Sequence, residues 1–357
     1  MTQHSTQPVL VRTPSRLHFG LLALGDEHER QFGGAGLMIR RPEVLVRLSP
    51  SDSWNATGRL ADRALEFAQR FAIGATERGW AGSFKAASVE VLRVPRPHTG
   101  LGSGTQLAMA VATGLTRLMG CRDLSGADLA ALVKRGKRSA IGAHGFFHGG
   151  FIVEGGKPPQ VDPNAAPSLS PMVMRIAFPQ SWRVVLVRPN ALEGLAGQRE
   201  TQAFSALPAI PRELTAEMCR LVLLGLAPAL VERNLQAFSE SLYELQQRVG
   251  RCFAGAQGGG VYADPLLEQI VEHVRAYGIP GVGQSSWGPA LYAVTADQSQ
   301  AELLASELQR RFSLGPGELL ITEADNHGAS IEPATDTAST DQSSHESVRK
   351  TSTPPRT

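Results

Sequence analysis

Residues 100–105 read Gly-Leu-Gly-Ser-Gly-Thr, closely spaced glycines whose backbone N–H groups can approach an anion. An apolar, Ala-rich segment of helix length follows at once, so the loop runs into the partial positive charge of a helix N-terminus. That combination suits a phosphate cradle, with a purely structural turn as the alternative. It is no Walker A loop, because Gly-x-x-x-x-Gly-Lys-Ser/Thr occurs nowhere, and the dinucleotide pattern Gly-x-Gly-x-x-Gly/Ala fails at Thr105. Arg16, Lys137 and Arg138 offer cations to a phosphate or carboxylate, arginine being suited to two-pronged oxyanion contacts. His18 and His98 are of the residue type that exchanges protons near neutral pH and so suit protonating or orienting a departing diphosphate. His144 and His148 have metal-ligand spacing for a helix, but the glycines around them argue against a helix and no third ligand is near, so no metal is assigned there. Asp26, with Glu27, sits on a polar turn and is the candidate for holding Mg2+. Ser285 and Ser286 do not make a nucleophile elbow, because Gln284 stands where Gly-x-Ser-x-Gly needs its first glycine. Trp287 suits packing against the cradle or a ring.

The elements that must position these groups can be read along the chain. A β-rich opening, 9–49, precedes a helix with apolar spacing over 59–78 and a strand at 88–94. Pro95 and Pro97 stop that strand, the loop 96–104 follows, and a helix is expected over 105–119. Ser125 starts a second helix, 127–137, whose basic end, Lys134, Arg135, Lys137 and Arg138, complements a helix C-terminus. After a short strand at 151–153, the Pro-rich stretch 157–171 reads as a linker. The second half alternates strands at 184–187, 290–294 and 318–322 with helices at 200–207, 212–224, 229–249, 264–277 and 300–311, which predicts an α+β domain. The expected organisation is a flexible 1–8, an N-terminal domain over 9–165, a C-terminal domain over 166–330, and a disordered Ser/Thr-rich tail, 331–357.

The 357 residues carry Lys+Arg 35 against Asp+Glu 33, a net charge of +2, so no global field draws nucleic acid and any anion must be met by a local cluster. The three cysteines are too far apart for a zinc knuckle or a disulfide framework, which suits a reducing cytoplasm. No signal sequence or run long enough to span a membrane is read from the pattern. The expected partners are small-molecule substrates, with neither nucleic acid nor membrane, and a homodimer is compatible with the sequence.

The loop resembles the phosphate-binding signature of the GHMP superfamily of small-molecule kinases, Gly-Leu-Gly-Ser-Ser-Ala. Residues 13–17, Thr-Pro-Ser-Arg-Leu, are similar to that superfamily's first motif, and 281–289, Gly-Val-Gly-Gln-Ser-Ser-Trp-Gly-Pro, to its third. The departures are Gly104, where the kinases keep a second Ser, and the stretch 138–150, which holds no Asp or Glu to act as the kinase base. The strings at 16–22, 98–106, 147–153 and 283–289 resemble a non-kinase branch, the β-ribofuranosylaminobenzene 5′-phosphate synthases. The resemblance implies an α+β, GHMP-kinase-like two-domain fold, with a ribosomal-S5-domain-2-like N-terminal domain and a ferredoxin-like C-terminal domain. It implies a decarboxylating ribosyltransferase that joins phosphoribosyl diphosphate to 4-aminobenzoate, releasing CO2 and diphosphate, on the route to tetrahydromethanopterin. In that reading Gly100, Leu101, Gly102, Ser103, Gly104, Thr105 and Gln106 hold the diphosphate with Lys137 and Arg138. His18, His98 and Arg16 are catalytic, and Gln284, Ser285, Ser286 and Trp287 touch substrate. Mg2+ would accompany the diphosphate, and no organic cofactor is implied. The alternatives are an ATP-dependent kinase on the same fold and a catalytically silent ligand-binding protein.

Overall fold

The computed structural model describes residues 7–25, 28–80, 86–121, 124–159, 169–192, 194 and 197–334. The chain opens with a long hairpin, β1 (Val9–Ala23) and β2 (Phe32–Ser51), whose alternating residues bury one face on each of two cores. Next come β3 (Asn55–Gly58), α1 (Ala61–Glu77), β4 (Ala86–Arg93), α2 (Ser103–Leu118) and α3 (Gly126–Leu132). The N-terminal unit is completed by α4 (Ile141–His148), β5 (Phe151–Glu154) and β6 (Met172–Ile176). One seven-stranded sheet joins these strands in the order β11-β1-β2-β4-β3, with β5 on β2 and β6 on β5; β11 (Ser330–Pro333) returns from the far end of the chain. All pairs are antiparallel except β3 with β4. The apolar stripe of α1, Ala64, Phe67, Ala68 and Phe71, and the almost wholly buried α2 cover one face of this sheet.

The C-terminal unit holds β7 (Arg183–Val187), α5 (Gly197–Ser205), α6 (Arg212–Arg220), α7 (Ala227–Val231), α8 (Leu235–Phe253), α9 (Pro265–Ala276), β8 (Val282–Gln284), β9 (Leu291–Thr295), α10 (Gln298–Phe312) and β10 (Leu319–Thr322). Its sheet is antiparallel, in the order β10-β7-β9-β8. The two units are not merely linked. Leu17, Phe19, Leu37 and Phe151 of the large sheet share one core with Leu186, Phe238, Leu242 and Tyr292.

Several expectations are corrected. The boundary at 165/166 does not divide the structure, because β6 pairs with β5 in the large sheet. The tail does not begin at 331, because Ile331, Glu332 and Pro333 pair with β1 and Ala334 donates its N–H to Pro8 O; residues 335–357 and 1–6 lie outside the described residues. The second helix ends at Leu132 instead of 137, since Lys134 and Gly136 take left-handed φ of 55° and 73°. The basic cluster is therefore a turn, not a helix end. Helices expected over 212–224 and 229–249 are divided elsewhere: α6 continues through a π-helical stretch, Leu221–Leu226, into α7, and Asn234 caps α8 by accepting from Ala237 N–H. This run, 212–231, is long and apolar enough to cross a membrane, but Met218, Leu221, Val222 and Leu226 pack into the shared core. His144 and His148 do lie on a helix, α4. Its glycines allow it to pack closely: a Cβ on Gly145 would lie 2.2 Å from Met38 Sδ of β2. The cysteines are all free.

Candidate active site

The first, second and third motifs meet at one point, and Ser285 pins them. Its hydroxyl accepts from His18 N–H (3.0 Å) and donates to Gly100 O (2.7 Å), while Ser286 N–H donates to His18 O (3.1 Å). Arg16 completes the knot, its N–H donating to Leu101 O (3.0 Å) and its guanidinium to Gly100 O (3.1 Å). Ser285 is fully buried, so it is a structural pin and not the substrate contact expected from the sequence. Gln284 stands in the wall of a cavity of about 320 Å³ with its polar atoms already partnered within the protein. Its Oε1 accepts from Ala263 N–H (2.8 Å), and its amide donates to Gln257 Oε1 (2.9 Å) and Ser286 O (3.0 Å). Gln106, expected at the phosphate, is buried beneath the cradle, accepting from the Thr13 hydroxyl and donating to Gly142 O (2.7 Å). Leu101 sends its side chain into the shared core and leaves only backbone for a ligand.

The cradle cavity, about 210 Å³, is lined by the loop 100–105 together with Arg16, Arg63, His98, Arg135 and Glu200. Gly102 caps α2 with φ 69°, so Ser103 and Gly104 stand in the first helical turn, where amide hydrogens lack intrahelical partners, while Thr105 N–H already donates to Gly102 O (3.0 Å). A Cβ on Gly104 would lie 3.2 Å from an Arg63 guanidinium nitrogen and 3.7 Å from one of Arg135. The space beside Gly104 is thus bounded by two cations. Among the described residues neither Arg63 nor Arg135 has an ion-pair partner, and Arg135 Nε is buried without a hydrogen bond. Burial, followed by the nearby charges of Arg63 and Arg70, pushes the Arg135 guanidinium down to about 10. Burial also lowers Arg16 to about 10 against the pull of Glu154 and Glu200. Both remain charged at neutral pH, so three cations face a helix N-terminus across a small cavity. This is an arrangement that an anion of high charge relieves.

A second cavity of about 320 Å³ adjoins it, and Arg16, Thr105, Arg135, Glu200, Ser286 and Trp287 line both. Its walls are aromatic: Trp287 stacks on Phe204 at 5.6 Å and 19°, and Phe253 lies 5.1 Å from Trp287 at a tilt of 54°. Lys137 and Arg138 stand among its lining residues, Arg138 lying 4.1 Å over the Phe204 ring and 3.0 Å from Glu200 Oε1. His18 also lines this cavity, its Nε2 3.1 Å from the Ser139 hydroxyl. Burial, then the charge of Arg16, pushes the imidazole well below its ordinary value, which favours the neutral ring; of the two expected roles, orienting a departing group suits that form better than protonating it. His98 is exposed at the edge of the cradle with φ 61°.

Arg63, Arg135, Glu200, Phe204 and Phe253 are site residues that sequence reasoning did not select. Asp26 and Glu27 lie outside the described residues. Among the described residues lining the two cavities, Glu200 is the one carboxylate, and it is paired with Arg138, so these described side chains by themselves do not make a protein-held magnesium site. His144 Nε2 is 2.7 Å from Ser170 O, and no group of three or more His, Cys, Asp or Glu side chains suited to a metal occurs among the described residues.

The buried neutral His18 carries a pH signature. Above pH 6.5 the ring is neutral in both folded and unfolded chains; below it only the unfolded chain takes the proton, so stability falls as pH falls, by up to about 1.4 kcal/mol per pH unit. His18→Gln is expected to flatten the dependence of stability on pH below 6.5 relative to the wild type, measured by urea unfolding between pH 5 and 8; superimposable slopes would contradict the assignment.

Comparison with known proteins agrees with this geometry. Residues 61–152 match the GHMP kinases N terminal domain and 226–314 the GHMP kinases C terminal family. The homoserine kinase of Cytophaga hutchinsonii superimposes with a TM-score of 0.62 at 17% identity, covering 93% of this chain and 99% of that one. Streptococcus pneumoniae phosphomevalonate kinase gives 0.65 at 14%, covering 89% and 100%. These likenesses show the fold, α+β and GHMP-kinase-like. Among sequences, the β-ribofuranosylphenol 5′-phosphate synthase of Methanothermobacter thermautotrophicus is 32% identical over 90% of this chain and 98% of its own length. That of Archaeoglobus fulgidus is 32% identical over 90% and 99%. With relatives about one-third identical and aligned over nearly their whole length, the chain belongs to the β-ribofuranosylphenol 5′-phosphate synthase family on the GHMP kinase fold.

Proposed function

We propose that the chain is a decarboxylating ribosyltransferase that joins phosphoribosyl diphosphate to a 4-substituted benzoate, releasing CO2 and diphosphate. The observation that carries this reading is the pairing of the two adjoining cavities: one is small and cationic, the other is aromatic-walled, and Arg16 and Trp287 line both. The diphosphate rests against the first turn of α2 between Arg63 and Arg135, where developing negative charge on the leaving group is stabilised by groups already in place. The acceptor ring lies along Trp287 and Phe204, with Lys137 and Arg138 available to its carboxylate or to the 5′-phosphate. As the bond from ribose C1 to diphosphate breaks, the ring carbon that bears the carboxylate, para to its electron-donating substituent, forms the new bond to C1. The electrons of the carbon–carboxylate bond then restore the ring as CO2 departs. No proton has to be removed from carbon, so the reaction does not call for an unpaired carboxylate, and none stands among the described lining residues. The work is charge stabilisation and placement of two anionic reactants.

The relatives' name, a ribofuranosylphenol phosphate, supports 4-hydroxybenzoate as the acceptor over the 4-aminobenzoate first expected. A cytoplasmic place in tetrahydromethanopterin biosynthesis rests on the same family resemblance. The deciding experiment follows labelled CO2 from carboxyl-labelled 4-hydroxybenzoate and, separately, 4-aminobenzoate. Release is expected with phosphoribosyl diphosphate and not with ATP. Phosphorylation of a small alcohol by ATP, without decarboxylation of either acid, would overturn the proposal in favour of a kinase.

A further inference from the structure

On the other side of the cradle loop lies a cavity of about 470 Å³ that the proposed reaction does not use. Thr99 and Pro289 line it, whereas their chain neighbours Gly100 and Gly288 line the cradle, so the two cavities occupy opposite sides of the same strands of loop. Its lining comes from both units, and five prolines stiffen it. Five arginines also line it, Arg41, Arg59, Arg93, Arg96 and Arg188, against a single lining carboxylate among the described residues, that of Glu43; the Glu318 carboxylate, which accepts from Asn190 N–H, stands behind the wall within the electrostatic reach of Arg96.

That carboxylate is already committed. Glu43 is buried and takes the guanidiniums of Arg12, Arg93 and, at 3.1 Å, Arg41. Arg59, Arg96 and Arg188 have no ion-pair partner among the described residues. Arg96 donates to Asn190 Oδ1 (2.6 Å) and Arg188 to Gly317 O (2.9 Å), both neutral acceptors. Arg188 Nε is buried with no hydrogen-bond partner, and burial together with the charge of Arg96 holds its guanidinium below the ordinary range. Like charges gathered on a stiff wall, partly out of water and short of acceptors, repel one another. A bound polyanion would supply both the missing charge and the missing acceptor.

We propose that this cavity is a second anion site, separate from the catalytic cleft, that binds a small, multiply charged phosphate compound through Arg96 and Arg188, with Arg59 alongside. Guanidinium forks match phosphate oxygens, and the cavity is large enough for more than one phosphate group.

The test is titration calorimetry with inorganic tripolyphosphate on the full chain. Wild type is expected to bind at two separable sites. Arg96→Gln/Arg188→Gln should weaken one of them, roughly tenfold to a hundredfold, and leave kcat and KM in the absence of tripolyphosphate within about twofold of wild type. Arg135→Met should weaken the other and spare this one. Arg96→Gln alone, at an exposed side chain, repeats the test if the double variant folds poorly. A single binding event that Arg135→Met removes, or a second event indifferent to Arg96 and Arg188, would overturn the proposal.

Discussion

Arg135→Met is expected to lower kcat/KM for phosphoribosyl diphosphate by about a hundredfold or more while leaving the melting temperature unchanged or raised. The guanidinium stands beside Gly104 with its Nε buried and unpartnered and no ion-pair partner among the described residues, and it lies 4.8 Å over the Phe67 ring. Methionine keeps the apolar stem against Phe67 and removes only the charge and its donors. A hydrogen bond to a charged group contributes about 1.5–3 kcal/mol, and a two-pronged contact to diphosphate forfeits two of them, at 1.4 kcal/mol per tenfold. Stability moves the other way because Arg135 is partly buried beside Arg63 and Arg70, so the folded chain sheds a like-charge repulsion. Parallel measurement of steady-state kinetics and thermal unfolding checks both halves. A variant with normal kinetics and a depressed melting temperature would show that Arg135 serves packing and not the donor substrate.

The sequence made the cradle legible and hid what faces it. Gly100 to Thr105 could be read because a strand stopped by prolines, a glycine loop and an Ala-rich helix are contiguous, and local chemistry decides each. Arg63 and Arg135 meet only because α1 and the turn after α3 pack on α2, and no pattern within either segment announces the other. Arg135 was visible as one of four cations, but the left-handed residues Lys134 and Gly136 that turn it inward were not. Phe204 and Glu200 lie on α5, a helix with no buried residue and hence no apolar stripe to orient it from sequence. The edge strands failed for a related reason. β6 alternates between half-buried and exposed residues and β11 is four residues ending in proline, so each is defined by a partner remote in the chain, as Ser330 is by Arg12. α4 was missed because helix propensity counts glycine as a cost, whereas here close packing on β2 requires it.

Two glycines of the same loop should separate fold from function. Gly100 has φ +85°, and a Cβ there would lie 2.1 Å from Ser285 O, the backbone atom of the residue whose hydroxyl ties the three motifs together. Gly100→Ala carries about 1–3 kcal/mol of backbone strain before the clash is counted, and both sides are held: Ser285 O accepts from Gly288 N–H (3.3 Å), while Gly100 O takes the Ser285 hydroxyl and the Arg16 guanidinium. Its expected result is a marked loss of stability. Gly104 is different, because it sits in the first turn of α2 without a left-handed φ, and what a Cβ would meet is the far end of the Arg63 side chain. Valine is a slightly better helix former than glycine, by a few tenths of a kcal/mol on the propensity scale, about 0.3–0.5, so Gly104→Val should unfold near the wild-type midpoint. Its methyl groups occupy the space between Arg63 and Arg135 where the diphosphate is placed, so donor affinity should fall about tenfold or more. Urea midpoints and diphosphate affinities taken on the same preparations give the contrast. If Gly104→Val were as unstable as Gly100→Ala yet bound diphosphate normally in its folded fraction, the cradle would be a packing turn and the anion would have to lie elsewhere.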